Sequence, residues 1–375
     1  MEKKYDVKEE IYKCSKCGLC KSVCPVYIAS KNEMFLSRGR YIVLNRFFNQ
    51  SEIPGRDFVK NLDVCLNCNA CKNFCPSNID AYKTFTLIKN RFNYKFSFIN
   101  FSFLLKILLN FLRICKFLYR IFPFKSIFIN TYIDALFSEK VYRRNNISNK
   151  AKKGKIVYFE GCINKYINES DKNASLNLIE DTGYSVEKII SLCCGYPYLS
   201  DGNLDKYKKQ ISKFISKIPV DVDYIVCSCD TCFDTLKRAA DFFDLKSDIF
   251  SKIITIDKFL KINNYKFPSD YENKIIKENL YFKPLLRNDD CYLPLNLIPI
   301  NKKGFCSLAE NFFMLKHPYI TKIMSNALFL SNEETEGKLL VTSCQLSKIG
   351  LIKRIKDNNS DSPVMSYAEY VCKLK

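Results

Sequence analysis

Eight of the chain's nineteen cysteines fall into two short runs of one spacing, CSKCGLCKSVCP (Cys14, Cys17, Cys20, Cys24, Pro25) and CLNCNACKNFCP (Cys65, Cys68, Cys71, Cys75, Pro76). Both read C-x2-C-x2-C-x3-C-P. Three soft thiolates at two-residue separations can wrap three corners of a cubane iron–sulfur core, and the more distant fourth is directed to the neighbouring core when two such runs pack together. The spacing predicts two 4Fe–4S clusters, the first on Cys14, Cys17, Cys20 and Cys75, the second on Cys65, Cys68, Cys71 and Cys24. A pair of four-thiolate zinc sites is the competing reading, but tetrahedral zinc usually draws two CxxC pairs from separate segments rather than four cysteines from one run of eleven residues. Two adjacent clusters form a one-electron wire, not a site of substrate chemistry.

A third group lies in the strings EGCIN, SLCCGYPYLSDGN and CSCDTC. Cys162 is followed after 30 residues by Cys193-Cys194-Gly195, and after a further 34 by Cys229-x2-Cys232. Cysteines at the C-terminal ends of successive parallel strands converge in one crevice, the usual ligand position of an open α/β sheet. Five thiolates exceed the need of a single cubane or zinc ion. Metal or cluster binding is the expectation here, with buried free cysteines as the plainer alternative. Gly195 would allow a tight turn beside the pair, and Cys227, at strand-alternation spacing, is expected to face packing.

The elements that must position these cysteines follow from composition and periodicity. With 375 residues and 47% hydrophobic content the chain has room for two or three domains with cores of their own, which excludes general disorder. Residues 1–92 enclose both runs and carry helical periodicity, as in RYIVLNRFF. Residues 93–150 are rich in Phe, Leu and Lys/Arg and contain only the isolated Cys115. From residue 151, KIVYFEGC and DYIVCSC read as short buried strands ending at cysteines, and NLDKYKKQISKFISKI reads as a helix between strands. A second unit of similar length covers 278–375, where LLVTSC takes the part of DYIVCSC, so a degenerate internal duplication is inferred. The expected fold is multidomain α+β: an α-helical domain over 1–92, a basic helical linker over 93–150, and two α/β units over 151–277 and 278–375.

Lys+Arg number 59 against 39 Asp+Glu, a net +20. Two four-thiolate clusters at roughly −2 each leave about +16. The odd cysteine count and tight grouping suit ligands better than a disulfide framework, and the charged start MEKKYDVKEE has no apolar export segment, so a reduced, cytoplasmic protein is expected. Between Lys95 and Lys106 lie ten uncharged residues, FSFINFSFLL, too few for a spanning helix. On a helical wheel Lys95, Lys106, Arg113, Lys116 and Arg120 fall within about 80°, leaving a wide apolar face ended by Pro123. Such a helix must be covered, by another domain, by a partner subunit, or by the inner membrane surface with the lysines reaching headgroups. Nucleic acid is not expected as a partner, since no finger, RNP or helix-turn-helix pattern is visible.

The strings around Cys162, Cys193, Cys194, Cys229 and Cys232 resemble the cysteine-rich CCG domain of heterodisulfide reductases and of the iron–sulfur subunits of glycolate oxidase and anaerobic glycerol-3-phosphate dehydrogenase. In those proteins a two-run ferredoxin domain precedes two CCG units. Most of the chain is covered by the resemblance. Forty residues separate Cys24 from Cys65, as suits the α-helical ferredoxin type that feeds dehydrogenase complexes, and SRGR (Ser37 to Arg40) is similar to the corresponding segment of the glycolate oxidase subunit. The resemblance implies an unusual iron–sulfur cluster on those five cysteines, with zinc the minority option. The second unit departs from the pattern: Pro284-Leu285, Phe305-Cys306-Ser307 and Cys344-Gln-Leu-Ser347 stand where cysteine motifs belong. Cys291, Cys306 and Cys344 are too few for a standard site of their own, so this half is expected to pack against the first crevice and shield it.

No GxGxxG and no P-loop is visible, and the single histidine, His317, has no catalytic constellation around it. Neither flavin nor NAD is expected in this chain. Substrate oxidation is therefore assigned to a separate flavin-containing dehydrogenase subunit, with this chain passing its electrons to quinone or another carrier. The rival reading is a disulfide or thiol reductase working at the first CCG site. A redox sensor or docking adaptor is the third.

Overall fold

The computed structural model describes residues 5–50, 55–92, 153–166, 168–245, 248–267, 281–283, 298–299, 317–328, 339–357 and 362–374. The basic segment 93–150, with its cationic stripe and Cys115, lies outside the described residues, as do Cys291 and Cys306. The described residues gather into two compact units.

The first unit takes the described residues up to 92, together with 197–207 and 317–328. Its helices are α1 (Val7–Tyr12), α2 (Pro25–Ser30), α3 (Ser37–Gln50), α4 (Arg56–Asp63), α5 (Ala70–Asn73) and α6 (Ala81–Arg91). Their starts are chemically marked. The Asp6 carboxylate accepts from the N–H groups of Lys8 and Glu9, and Asp80 caps α6 through the N–H of Lys83. Helix α2 opens on Pro25, whose fixed φ suits the first helical position, with Cys24 as its cap residue. Ile11, Tyr41, Leu44, Phe58, Leu62, Phe85 and Ile88 form one core, against which Cys14, Cys65, Cys71 and Cys75 are packed. The Tyr41 hydroxyl donates to Thr84 Oγ1 at 2.9 Å inside it. Residues 197–207, within the expected 151–277 unit, cluster here for a definite reason. The buried Lys89 ammonium pairs with Asp63 at 3.0 Å and also donates to the Ser200 carbonyl, so the returning stretch supplies the ammonium with a second acceptor.

The second unit contains two four-stranded parallel sheets. The first has β1 (Lys155–Phe159), β2 (Ser185–Ile190), β3 (Tyr224–Cys227) and β4 (Ile253–Thr255) in the order β2-β1-β3-β4. The second has β5 (Tyr281–Lys283), β6 (Ile298–Pro299), β7 (Leu340–Thr342) and β8 (Val364–Ser366) in the order β6-β5-β7-β8. The pattern is the same in both. Register pairs Ile156 with Val186 on one side and Tyr224 on the other, which aligns the three strand ends that precede the cysteines. Helices α7 (Gly161–Tyr166), α8 (Glu169–Asp181), α9 (Asp230–Phe243), α10 (Gln345–Asp357) and α11 (Tyr367–Leu374) supply the covering layers. Ile156, Tyr158, Leu176, Val226 and Phe259 share one core with Val341, Tyr370 and Leu374, so the two sheets are packed as a single body. Among the described residues no helix is long and apolar enough to cross a membrane.

Candidate iron–sulfur sites

The two N-terminal runs adopt the same unusual backbone. Lys16 (φ 60°) and Gly18 (φ 85°) flank Cys17 in the left-handed region, and Asn67 (φ 55°) and Asn69 (φ 56°) flank Cys68 likewise. Glycine and asparagine tolerate this conformation, which turns successive peptide N–H groups inward into an anion-binding concavity. The N–H of Asn67 points at Cys65 Sγ at 3.4 Å. A short helical turn lies within each run, Leu19–Ser22 in the first and Ala70–Asn73 in the second, and the fourth cysteine comes after it.

Two cavities result. One is lined by Cys14, Cys17 and Cys20 of the first run with Cys75 of the second. The other is lined by Cys65, Cys68 and Cys71 with Cys24. Cys71 and Ser37 line both, and the Ser37 hydroxyl hydrogen-bonds to Cys71. Burial pushes the Cys24 thiol up to about 11, partly countered by the Tyr27 N–H and then by the charge of Arg40, and pushes Cys68 and Cys71 higher still. Thiols so placed hold their protons until a cation displaces them. Cys17 differs: it is exposed, and the N–H of Leu19, followed by Ser15, lowers its pKa.

The SRGR segment serves both cavities. Arg38 lines the first and Arg40 the second. Arg40 is buried, its Nη2 donates to the carbonyls of Asn61 (2.9 Å) and Val64 (2.7 Å), and its guanidinium lies 5.4 Å from the Phe85 ring centroid. The Nε atoms of both arginines are buried without a hydrogen-bond partner among the described residues, and so is Asn67 Nδ2 on the second cavity wall. Donor atoms without partners on the walls of cysteine-lined cavities fit a negatively charged cluster in each, because a buried donor left unsatisfied is otherwise costly. Gly39 between the arginines has no space for a side chain, since a Cβ there would stand 2.1 Å from the Glu33 carbonyl oxygen.

The later cysteines converge as well. Cys162 follows β1, Cys193-Cys194 follow β2 and Cys229 follows β3, and these three strands are neighbours. Their C-terminal ends meet where the connections part to opposite sides of the sheet, the switch point of this topology. Hydrogen bonds link Cys162 to Cys193, Cys193 to Cys194, Cys194 to Cys232 and Cys232 to Cys229. Gly195, at φ 94°, makes the tight turn and aims its N–H at Cys193 Sγ at 3.5 Å. Gly161, at φ 72°, keeps Cys232 Sγ close, since a Cβ there would lie 3.2 Å from it. Cys229 caps α9, and Cys232 and Cys344 hydrogen-bond to it, holding its thiol well below the ordinary range. For Cys162 and Cys232 the neighbouring sulfurs and burial push the other way. Cys227 is fully buried on β3. Beneath the site, Asn164 Nδ2 donates to Ser228 Oγ (2.9 Å) and Asp171 Oδ2 (2.6 Å), bracing the ends of β1 and β3. Among the described residues no group of three or more His, Cys, Asp or Glu side chains is arranged around a single metal-ion position.

Two features carry more than the sequence reading gave them. The SRGR motif by itself gives its arginines no role, and Cys344 belongs by sequence to the second unit, yet its thiol hydrogen-bonds to Cys229 of the first. The signal was present in the match of LLVTSC to DYIVCSC, which makes Cys344 the counterpart of Cys229.

Residues 10–79 match the 4Fe-4S dicluster domain family, and residues 156–237 match the cysteine-rich domain family. The chain is 35% identical over 71 residues to the "Probable glycolate oxidase iron-sulfur subunit" of Bacillus subtilis, an alignment covering 19% of this chain and 16% of that protein. It is 23% identical over 293 residues to an uncharacterized iron-sulfur protein of Methanocaldococcus jannaschii, covering 71% of this chain and 52% of the relative. The chain thus spans about half or less of the length of these curated relatives. No solved structure matches it. With its cysteines gathered at the ends of these elements, the chain joins a 4Fe-4S dicluster domain to a cysteine-rich domain and is homologous to both of these iron–sulfur proteins.

Proposed function

We propose that this chain is an electron-transfer subunit. Cys14, Cys17, Cys20 and Cys75 hold one 4Fe–4S cluster, and Cys65, Cys68, Cys71 and Cys24 hold the second. Cys162, Cys193, Cys194, Cys229 and Cys232 hold a third iron–sulfur group, zinc being the alternative. The clusters supply one-electron redox chemistry. The chain's own residues supply position and field: Arg38 and Arg40 offset cluster charge, Ser37 spans both cavities, and inward N–H groups stabilise thiolate sulfur. Electrons come from a separate flavin dehydrogenase subunit, of 2-hydroxy acid or glycerol-3-phosphate type, and leave to quinone or another carrier. The chain works on the cytoplasmic side, peripheral to the membrane, with the degenerate second unit as a packing partner.

The observation that carries this reading is the exchange of fourth cysteines, Cys75 lining the first cavity and Cys24 the second, with Cys71 and Ser37 common to both. Two sites that share walls suit electron exchange, not substrate binding. The test is iron, acid-labile sulfide and zinc per chain on anaerobically purified protein, with EPR before and after dithionite. Roughly twelve iron supports three clusters, and roughly eight with zinc supports two plus a metal site. In the complex with its dehydrogenase, Cys17→Ala and Cys68→Ala should each abolish substrate-to-acceptor turnover; unchanged turnover would sink the proposal.

The lowered pKa of Cys229 at a helix N-terminus favours a second reading, a disulfide or thiol reductase acting at the third site. Under it, reduced protein alone cleaves a small disulfide and Cys194→Ser abolishes cleavage.

A further inference from the structure

The walls of the third site do not all come from the first sheet. Ser343, Cys344 and Gln345 follow β7 of the second sheet, and all three bond into the cysteine crevice. The Ser343 hydroxyl donates to the Asp230 carboxylate, and the Asp230 N–H donates to the Ser343 carbonyl at 3.1 Å. Asn168 Nδ2 donates to Gln345 Oε1 at 2.5 Å. Cys344, which is fully buried, has its sulfur 3.1 Å from Thr231 Oγ1 and hydrogen-bonds to Cys229. The N–H of Gln345, the first residue of α10, also points at the Cys229 sulfur. Six sulfurs therefore form one connected chain, from Cys162 through Cys193, Cys194, Cys232 and Cys229 to Cys344.

We propose that Cys344 is a working part of this site: its thiol, steadied by the Thr231 hydroxyl, donates S–H to the Cys229 sulfur and raises the electron affinity of the group that the site holds. This rests on the reading of the third site as a redox centre. Five thiolates already exceed what one cubane needs, and a sixth thiolate against Cys229 would add like charge in a buried place. A neutral thiol meets both demands. With the Cys344 S–H directed at Cys229, the Thr231 hydroxyl 3.1 Å away is the donor left to serve the Cys344 sulfur, and each bond then polarises the next. Hydrogen bonds to ligand sulfur favour the more reduced, more negative state and so raise the potential. The second sheet then does more than shield: through residues 343–345 it tunes the first sheet's site.

The experiment uses full-length protein purified anaerobically, as wild type, Cys344→Ala and Cys344→Ser. Expected is wild-type iron and sulfide content in both variants, with the third-site EPR signal moved to lower potential in the alanine variant and returned toward wild type by serine, which keeps a donor. Loss of iron in both variants would make Cys344 a direct ligand and overturn the proposal, and so would an unshifted potential in Cys344→Ala. Absence of iron from the wild-type third site would instead defeat the redox reading beneath it. The sulfur contact is then read separately, by treating chelator-stripped Cys232→Ser protein with diamide, which takes one hydrogen from each of two thiols as they join. A Cys229–Cys344 disulfide in the peptide map supports the contact, and its absence overturns it.

Discussion

Arg40 Nη2 donates to the carbonyl of Val64, the residue before Cys65, at 2.7 Å. The same nitrogen reaches Asn61 O at 2.9 Å, so one buried cation fixes the turn that delivers the second cysteine run from the end of α4. Arg40→Met keeps the side-chain bulk but removes the side-chain donor from both carbonyls; Asn61 O keeps the Val64 N–H, so the loss falls on the Val64 carbonyl, at about 1–3 kcal/mol for a group left unsatisfied. Expected is a lower urea midpoint and selective loss of iron from the cluster on Cys65, Cys68, Cys71 and Cys24, while the EPR signal of the other cluster persists. Equal loss from both clusters would show that Arg40 supports the domain as a whole and not this cavity.

Gly39 gives a cleaner steric test. A Cβ at this position would sit 2.1 Å from the Glu33 carbonyl oxygen, whereas at Gly55 a Cβ meets nothing within 4 Å. Overpacking against backbone costs about 1–3 kcal/mol, and a serine at Gly55, the cap residue of α4, has an open site and a capping hydroxyl. Thermal unfolding should therefore show Gly39→Ala destabilised and Gly55→Ser unchanged or slightly stabilised. A Gly39→Ala protein as stable as wild type would mean that α3 can shift away from residues 33–35 freely.

The cysteine spacing made the pairing of the N-terminal cavities readable because ligand geometry is encoded locally: three cysteines per run, and a fourth beyond a short helical turn. Strand-end placement of Cys162, Cys193, Cys194 and Cys229 was readable for a similar reason, since apolar runs ending at a cysteine fix which end of a strand it occupies. Two things were not readable in this way. The stretch 197–207 joins the helical unit through the buried Lys89 pair with Asp63, a contact over 26 residues whose partner at Ser200 is 111 residues distant. Cys344 reaches Thr231 across 113 residues, and no local periodicity reports a contact made by packing one sheet beside another.

Gly161 links backbone conformation to the third site. Its φ of 72° disfavours any L side chain, at about 1–2 kcal/mol, and an added Cβ would lie 3.2 Å from Cys232 Sγ. Gly161→Ala should deplete the metal proposed for the third site while the two clusters proposed for the N-terminal runs stay at wild-type content, as read by metal analysis with EPR. Gly195→Ala, at φ 94° beside Cys193, should act in the same direction. Loss of the N-terminal clusters in either variant would contradict the assignment.

Asp171 supplies a pH dependence. It is fully buried, and burial first, then the charge of Glu369, raises its carboxyl to about 6, against the Ser366 and Ser228 hydroxyls and Lys348. In an unfolded chain the same group titrates near 3.9. Below about pH 4 both states carry the proton, so this group costs the fold nothing. Between about 4 and 6 only the native state binds it, and stability falls as pH rises; above about 6 the native carboxylate is ionised and the loss is complete. Asp171→Asn removes the titration while leaving an oxygen to accept from Asn164 Nδ2, which Asp171 engages at 2.6 Å. The unfolding free energy of the variant relative to wild type, from urea titration, should be level near pH 4, rise through pH 5 and reach an advantage on the order of 3 kcal/mol by pH 7. A constant difference across that range would mean that the carboxyl is ionised in the fold throughout, with Lys348 outweighing burial.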